Sequence, residues 1–527
     1  MSPSLKFLLV AFAAGLSCVA GFAPFGLFPI PVLALAVLFH LWAKAESPRA
    51  AGWLGFAFGL GLFVAGIGWI YVALHDYGGM PLPLAALATL LFAAFLALLP
   101  ALAGYAQARL PNVNFSWFRS PEEDKRAQSA GRFVVPMQVR LGVLMPAMWV
   151  LVEWLRGTLF TGFPWLTLGY AHSDGPLAGY APLLGVYGVS LIAAVSAGLL
   201  ATLWRERWNR QGRIAVAVLL SLWVGGAALR TVAWTQPQGE PFSVALVQGN
   251  IAQDFKFNED ALVGTLETYR RLTLQSDARL IVLPETAIPL LRHEVPLSLV
   301  EQLDAHAGRN AGGVLIGAFV RENDAYHNSV FALTGGGEAA EQRYHKQHLV
   351  PFGEFIPLRP LLGWFINGVL NIPMGDLASG GRQQALLEVA GQHIAANICY
   401  EDVFGEEVIR ALPQASLLVN FTNDAWYGDS YAAEQHNQIS RMRALETGRM
   451  MLRATNTGVT SIIGADGRVL QQLPQHVEGT LSGMAQGYEG ATPYVRWGNV
   501  ATMLLLLGLL GYAWLRREPS VGGGGVR

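Results

Sequence analysis

Seven apolar runs of roughly 20 residues each, the length of helix that crosses a ~30 Å hydrocarbon core, fill the first part of the chain. They lie near 7–22, 27–43, 51–74, 82–108, 141–160, 181–203 and 213–233, and an eighth lies near 498–515. A chain built this way must give those runs an apolar surrounding. Composition agrees, because charged residues make up 14% of the 527 positions where a soluble protein carries about 25%. An ordinary water-soluble enzyme is excluded, and so is a disordered chain, which has too little apolar surface to bury rather than 52% hydrophobic residues. The net charge of −1 supplies no basic field for nucleic acid, which leaves lipid as the expected partner.

The stretch 240–490 reads as water-soluble. The expected organisation is a transmembrane bundle of about seven helices over 1–235, a soluble domain over 240–490, a C-terminal transmembrane helix over 497–516 and a tail over 517–527. Basic residues set the orientation, because cytoplasmic loops retain Lys and Arg. Lys44 and Arg49 follow the second run, Arg109 to Arg140 the fourth, Arg205 to Arg213 the sixth, and Arg516 and Arg517 the eighth. Every other loop is therefore basic, which predicts cytoplasmic termini and a soluble domain on the opposite face. The many later runs favour a retained first helix over a removable signal peptide.

Within the soluble part, β-rich apolar segments (FSVALVQGNI, RLIVLPETAI, GGVLIGAFV, HNSVFALTG, HIAANICYED, SLLVNFTND) alternate with segments of amphipathic helical period, among them DALVGTLETYRRLTLQ, LSLVEQLDAHAG, EEVIRALP and EQHNQISRMRALETGR. This is an α/β layered domain, in which functional groups collect beyond the carboxyl ends of strands. Glu285, Cys399 and Asp424 stand at such ends.

The two cysteines, Cys18 and Cys399, lie in regions too different to form a disulfide framework. Cys18 reads as a small buried hydrophobe. Cys399 is either an inert core cysteine or a nucleophile, and a nucleophilic thiol needs a base and a group that steadies the oxyanion formed on attack. Glu285 in LPETAIP and Lys346 in RYHKQHLVPFGEF are candidates for those roles, although each also suits a helix cap or an exposed loop cation.

Taken together, PE after a strand, YHKQHLVPFGE in a loop and ICYED after a strand resemble the Glu, Lys, Cys triad of the nitrilase (carbon-nitrogen hydrolase) superfamily. LVPFGEFIP, NICYEDVF and NFTNDAWYG, with EWLRG and GFPWLTLGY in the apolar half, are similar to the bacterial apolipoprotein N-acyltransferase family over nearly the whole chain. The resemblance implies about eight transmembrane helices carrying a nitrilase-like αββα sandwich in the periplasm, with the chain in the bacterial inner membrane. It implies transfer of a fatty acyl chain from a phospholipid, phosphatidylethanolamine first, to the α-amine of the diacylglyceryl-cysteine of a lipoprotein. Cys399 is then the nucleophile, Glu285 the general base and Lys346 the oxyanion cation, with Glu354, Tyr400 and Glu401 in support. Phe257, Trp364, Phe365, Asn423 and Trp426 are the corresponding lipid-contact candidates, and Phe257 stands where relatives can carry tryptophan.

The apolar stretch from Phe355 to Leu377 reads as a lid or arm that meets lipid, since at a wet surface it would aggregate. Glu153 and Arg156, three apart in a run, read as a structural pair facing one another, and Trp165 as an anchor at the membrane interface. His345 and His348 lack a third ligand at metal spacing, so neither metal nor cofactor is expected. TGGGEAA and ASGGR read as turns. Two rivals remain at this point: a membrane-tethered amidase or nitrilase that hydrolyses a carbon-nitrogen bond, and a transporter or lipid scaffold with a dead catalytic domain. Seven preceding spans argue against a mere tether, and the intact triad against the second.

Overall fold

The computed structural model describes residues 3–110, 133–253, 259–357 and 376–519. Phe257, Trp364 and Phe365, with most of the 355–377 arm, lie outside the described residues.

Each of the eight apolar runs carries a helix. These are α1 (Leu5–Ser17), α2 (Pro29–Lys44), α3 (Pro48–Gly66), α4 (Leu82–Arg109), α5 (Met145–Arg156), α6 (Ala181–Glu206) and α7 (Arg210–Leu229). Beyond the soluble domain, Val500–Leu515 forms the last helix among the described residues. Among the described residues, five helices are long and apolar enough to cross a membrane: Pro48–Gly66, Leu82–Arg109, Met137–Arg156, Pro176–Glu206 and Arg210–Leu229. The other three are shorter apolar helices. Helix is the form that satisfies every backbone group in lipid without outside partners. Side-chain caps start two of them: Ser47 accepts from Ala50 N at 3.2 Å, and Asn209 from Gln211 N at 2.9 Å.

Small residues let the bundle pack closely, as association without a hydrophobic driving force requires. A side chain at Gly15 or Gly61 would strike the backbone across the α1–α3 contact, and one at Gly55 would strike the Pro100 carbonyl of α4. Leu87, Leu91, Leu98 and Leu102 of α4 stay exposed, an outer face suited to hydrocarbon. At one end of the bundle, Arg140 donates to Gln107 Oε1 of α4 at 2.8 Å and to the Trp42 carbonyl of α2 at 3.4 Å. Phe133–Val134 pairs antiparallel with Glu518–Pro519, so the segment before α5 and the chain after its last helix share that end.

The soluble domain has twelve strands in two six-stranded sheets among the described residues. The first sheet contains β1 (Gln236–Gln248), β2 (Leu280–Val282), β3 (Gly313–Glu322), β4 (Ala325–Leu333) and β5 (Gln342–His345), with the later β12 (Gly479–Glu489) at its edge beside β1. The second contains β6 (Leu387–Val389), β7 (Gln392–Ile398), β8 (Leu417–Thr422), β9 (Met451–Thr455), β10 (Ser461–Ile463) and β11 (Val469–Gln472), in that order. Each sheet has three parallel strands at its centre, β1–β2–β3 and β7–β8–β9.

One apolar core lies between the sheets, built from Val244, Leu246, Leu280, Val282, Ile398, Val419, Phe421 and Leu452 among others. Outer cores sit under α8 (Glu259–Leu274) and α9 (Leu297–Arg309) on one side, and under the Gly405–Ala411 segment on the other. Where both sheet faces are covered the central strands are apolar, as at 244–247 of β1 and 314–320 of β3. The result is a helix–sheet–sheet–helix sandwich.

Helix α10 (Ala432–Thr447) joins the sandwich to the bundle. Its period was expected to give one wet face, but it is buried almost all round because the bundle covers one side and the second sheet the other. Gln438 Oε1 accepts from Ala23 N at 3.1 Å, Gln435 Oε1 from Trp165 Nε1 at 2.7 Å, and Glu446 Oε1 from Val186 N at 2.7 Å. The last bond caps α6 where Gly185, with φ of 67°, breaks it. Trp165 is therefore no membrane-surface anchor; it is fully buried, and its indole N–H needs the partner that Gln435 supplies.

Glu153 and Arg156 reach past one another to the segment after α5. Glu153 Oε1 accepts from Leu168 N at 2.9 Å, and Arg156 donates to the carbonyls of Phe163, at 2.7 Å, and Trp165. The two charges fasten 162–168 against the bundle by satisfying backbone groups that lipid would leave bare.

Candidate active site

Glu285 leaves the end of β2, Cys399 the end of β7 and Asn423 the end of β8, while Lys346 follows β5. The sandwich thus brings together four strand ends from its two sheets at one place. Both turns that carry the reacting groups are strained: Cys399 has φ of 53° and Thr286 has φ of 50°, values that non-glycine residues adopt at a cost of about 1–3 kcal/mol. The close approach of β3 makes the Glu285 turn possible. A side chain on Gly317 would overlap the Pro284 carbonyl, Thr286 N and the Glu285 backbone. Gly317→Ala is expected to displace Glu285, cutting turnover at least about tenfold and lowering stability by about 1–3 kcal/mol. Parallel assays of rate and thermal unfolding check it, and an unchanged rate would contradict this packing.

The carboxylate of Glu285 accepts from Asn328 Nδ2 at 2.7 Å and from Asn423 N at 2.9 Å, and it lies 3.6 Å from Lys346 Nζ. Lys346 is 1% exposed and donates to Glu354 Oε1 at 2.9 Å. Glu354 also accepts from Asn328 Nδ2 at 3.1 Å and, through Oε2, from Val350 N at 2.8 Å. It thus contacts both the ammonium and the loop that follows it.

Electrostatics separates the roles. Burial pushes the Cys399 thiol well above its usual range, and the Glu285 charge pushes it further, against the opposing pull of Lys346 and a hydrogen bond from Thr422. The resting group is a thiol. Burial alone would lower Lys346, but Glu354 and then Glu285 outweigh it and hold its pKa above the ordinary lysine range. Lys346 therefore stays a cation and is no base.

Glu401 clamps the two halves. Oε2 accepts from Ile398 N at 2.6 Å, just before the cysteine, and Oε1 accepts from Gln347 N at 2.6 Å and His348 N at 3.1 Å, just after the lysine. The Tyr344 hydroxyl donates to both oxygens. Burial lifts its pKa to about 7, against those N–H groups and the charge of Lys346. A protonated carboxyl offers fewer acceptor sites to these donors, so turnover is expected to fall as pH drops through 7. The stability contribution has the opposite sign: between its ordinary 4.5 and 7 the folded state holds the extra proton, so it is lost as pH rises. Glu401→Gln is expected to remove the acid limb of the rate profile and to slow turnover about tenfold. Glu446, also lifted to about 7 by burial, contacts the bundle rather than the triad, so a limb that survives Glu401→Gln would belong elsewhere.

The bundle forms the rest of the site. Cys399 packs against both the sandwich core and the apolar core of the bundle. Tyr400 is buried and donates to the Gly162 carbonyl at 3.2 Å. Trp426 is half-buried against Tyr77, with ring centroids 6.1 Å apart. Asn423 donates to Gln253 Oε1 at 2.9 Å and accepts from Asn456 Nδ2 at 3.0 Å, while its N–H serves Glu285. His345 bonds to Ser329 and His348 stacks on Phe404. Sequence reasoning passed over Asn328, which joins Glu285 to Glu354; an asparagine opening the apolar strand HNSVFAL was its signal.

Comparison with known proteins gives two family matches. Residues 14–199 match the apolipoprotein N-acyltransferase N-terminal domain, and residues 243–494 match carbon-nitrogen hydrolase. A protein of Nitrosomonas europaea named apolipoprotein N-acyltransferase is 50% identical over 506 residues, spanning 95% of this chain and 96% of its own. Proteins of the same name from Methylococcus capsulatus and Ralstonia nicotianae are 43% and 44% identical, over 98% and 95% of this chain and 97% and 93% of theirs.

Proposed function

This chain belongs to the apolipoprotein N-acyltransferase family, and from that premise we propose that it works by ping-pong transfer through a Cys399 thioester. It is a multi-pass membrane acyltransferase that N-acylates lipoproteins. In the first half-reaction the sulfur attacks an ester carbonyl of a phospholipid, and Glu285 takes the thiol proton. Lys346, with backbone N–H groups, steadies the oxyanion. The C–O bond breaks, Glu285 protonates the leaving alkoxide, and a lysophospholipid departs. In the second half-reaction the α-amine of a diacylglyceryl-cysteine attacks the thioester. Its proton passes by way of Glu285 to the leaving sulfur, and an amide is formed.

The observation that carries this reading is the position of Cys399 at the meeting of two apolar cores, one inside the sandwich and one that runs from the bundle into Tyr400, Val403 and Tyr427 of the soluble domain. A hydrolase of small soluble substrates has no use for a thiol against a membrane bundle. Phe160, two residues before the Gly162 that Tyr400 contacts, and Phe352, two before Glu354, are exposed and support lipid entry on this side. Phosphatidylethanolamine is the proposed donor.

The eight helices are proposed to cross the bacterial inner membrane, with both termini cytoplasmic and the sandwich periplasmic. The loop-charge alternation supports this orientation, as does the pairing of Phe133–Val134 with Glu518–Pro519 at the basic end. The function is tested by incubating the purified protein with phospholipid and a diacylated lipopeptide and weighing the products. A peptide heavier by one acyl chain is expected. Free fatty acid with unchanged peptide would mean hydrolysis and overturn the reading.

A further inference from the structure

Beneath Cys399 lies a group of charges that the triad chemistry leaves unused. His436 of α10 meets Asp402 Oδ1 through Nε2 at 2.8 Å and Asp424 Oδ1 through Nδ1 at 3.0 Å. Arg453 of β9 donates to Asp424 Oδ2 at 2.8 Å and to Asn420 Oδ1 at 2.7 Å, and its Nη1 lies 3.6 Å from Asp402 Oδ2. Ser440 closes the ring by donating to Asp402. His436, Asp402, Asp424 and Arg453 are wholly buried.

An imidazole flanked by carboxylates on both nitrogens donates from both, which requires the imidazolium. Two carboxylates then balance one imidazolium and one guanidinium, and the group is neutral overall. That balance is what permits such a cluster to be buried at all.

Its place in the chain gives it a task. Asp402 belongs to the turn Cys399–Val403, whose first carbonyl is also held by Asn420 Nδ2 at 3.1 Å. Asp424 follows Asn423, the residue whose N–H orients Glu285. One imidazolium therefore fastens the nucleophile's turn and the base's support to the same helix. That helix is also the docking element: Gln435, beside His436, bonds to the Trp165 indole, and the Trp165 ring lies 5.6 Å from the imidazole.

We propose that His436 is a positioning residue, which as an imidazolium between Asp402 and Asp424 sets the spacing of Cys399 from Glu285 and ties that spacing to the seating of the sandwich on the bundle. This rests on the thioester reading. The groups that face His436 are Asp402, Asp424 and Arg453, with Ser440 of its own helix and the rings of Trp165 and Tyr427. The two aspartates hold its pKa above normal, against burial and Arg453. Removing one of them lowers it, so the imidazolium is lost as pH rises.

The test follows thioester formation on full-length protein in detergent, with phospholipid and no acceptor, from pH 6 to pH 9. His436→Gln, which cannot carry the charge, is expected to slow acylation about 100-fold at every pH with KM for phospholipid within about twofold. Asp402→Asn is the milder variant: its amide oxygen still accepts from the imidazolium, so at pH 6 the rate falls less than in His436→Gln, and it drops a further tenfold or so by pH 9, where the wild type shows no such alkaline loss. Wild-type rates and profiles in both variants would overturn the proposal. So would loss of rate in Asp402→Asn that is equal at all pH values and tracks a lowered unfolding temperature, which marks a purely structural cluster. Absence of any thioester on the wild type would instead defeat the underlying reading, so the two failures are distinguishable.

Discussion

Cys399→Ala is expected to lower acyl transfer by at least about 10⁴-fold, to the level of the uncatalysed exchange. The size of the effect follows from the site. On the proposed route the acyl chain passes through a bond to this sulfur, and Glu285, which accepts from Asn328 and Asn423, serves as the base and not as a second nucleophile. The fold is expected to survive, since alanine keeps the Cβ that the strained turn already tolerates and removes one atom. A variant that unfolds near the wild-type temperature, binds phospholipid and forms neither lysophospholipid nor acylated peptide is the expected result. Cys399→Ser is expected to fail nearly as fully, because a hydroxyl is a weaker nucleophile that leaves less readily when the amine attacks.

The second large effect belongs to Glu285→Gln, expected to slow both half-reactions by about 10³-fold. The thiol at rest is protonated, because burial and the Glu285 charge raise it, so attack without a proton acceptor has to form the thiolate in a buried site. The substitution also turns an acceptor into a donor: an amide NH₂ would face either Asn328 Nδ2 or Asn423 N, both of which donate. Single-turnover measurements with phospholipid alone, and with preformed thioester and amine, check the two halves. Loss of one half with retention of the other would contradict the assignment of a single shared base.

Much of this was legible in the sequence, for physical reasons. Lipid allows helices and little else, so eight apolar runs translate into eight helices with small boundary shifts. The parallel strands are apolar where both faces are covered, and Glu285, Cys399 and Asp424 stand where that pattern stops. What was not legible is polar and buried. The strand carrying Tyr344 and His345 sits at a sheet edge and has no apolar period, and β6 is three residues long.

Helix α10 has polar residues on every face because each meets a partner inside the protein, so its period predicts a wet face that does not exist. Asn423 lies in a motif rich in aromatic residues, and only the fold shows its N–H directed at Glu285. Trp165 carries the signature of a membrane-interface anchor, an amphipathic ring beside proline and glycine, yet its polar edge is satisfied by a helix 270 residues away.

The central claim is that the sulfur of Cys399 carries the acyl chain between two lipid-bearing molecules. Intact-mass measurement of the full-length protein after incubation with phospholipid alone tests it directly. The predicted result is a mass increase of one acyl chain, mapped to Cys399, equimolar with lysophospholipid and discharged when a diacylated lipopeptide is added. Product formed at the normal rate with no acylated protein at any time, or an adduct that persists in Cys399→Ala, would contradict it.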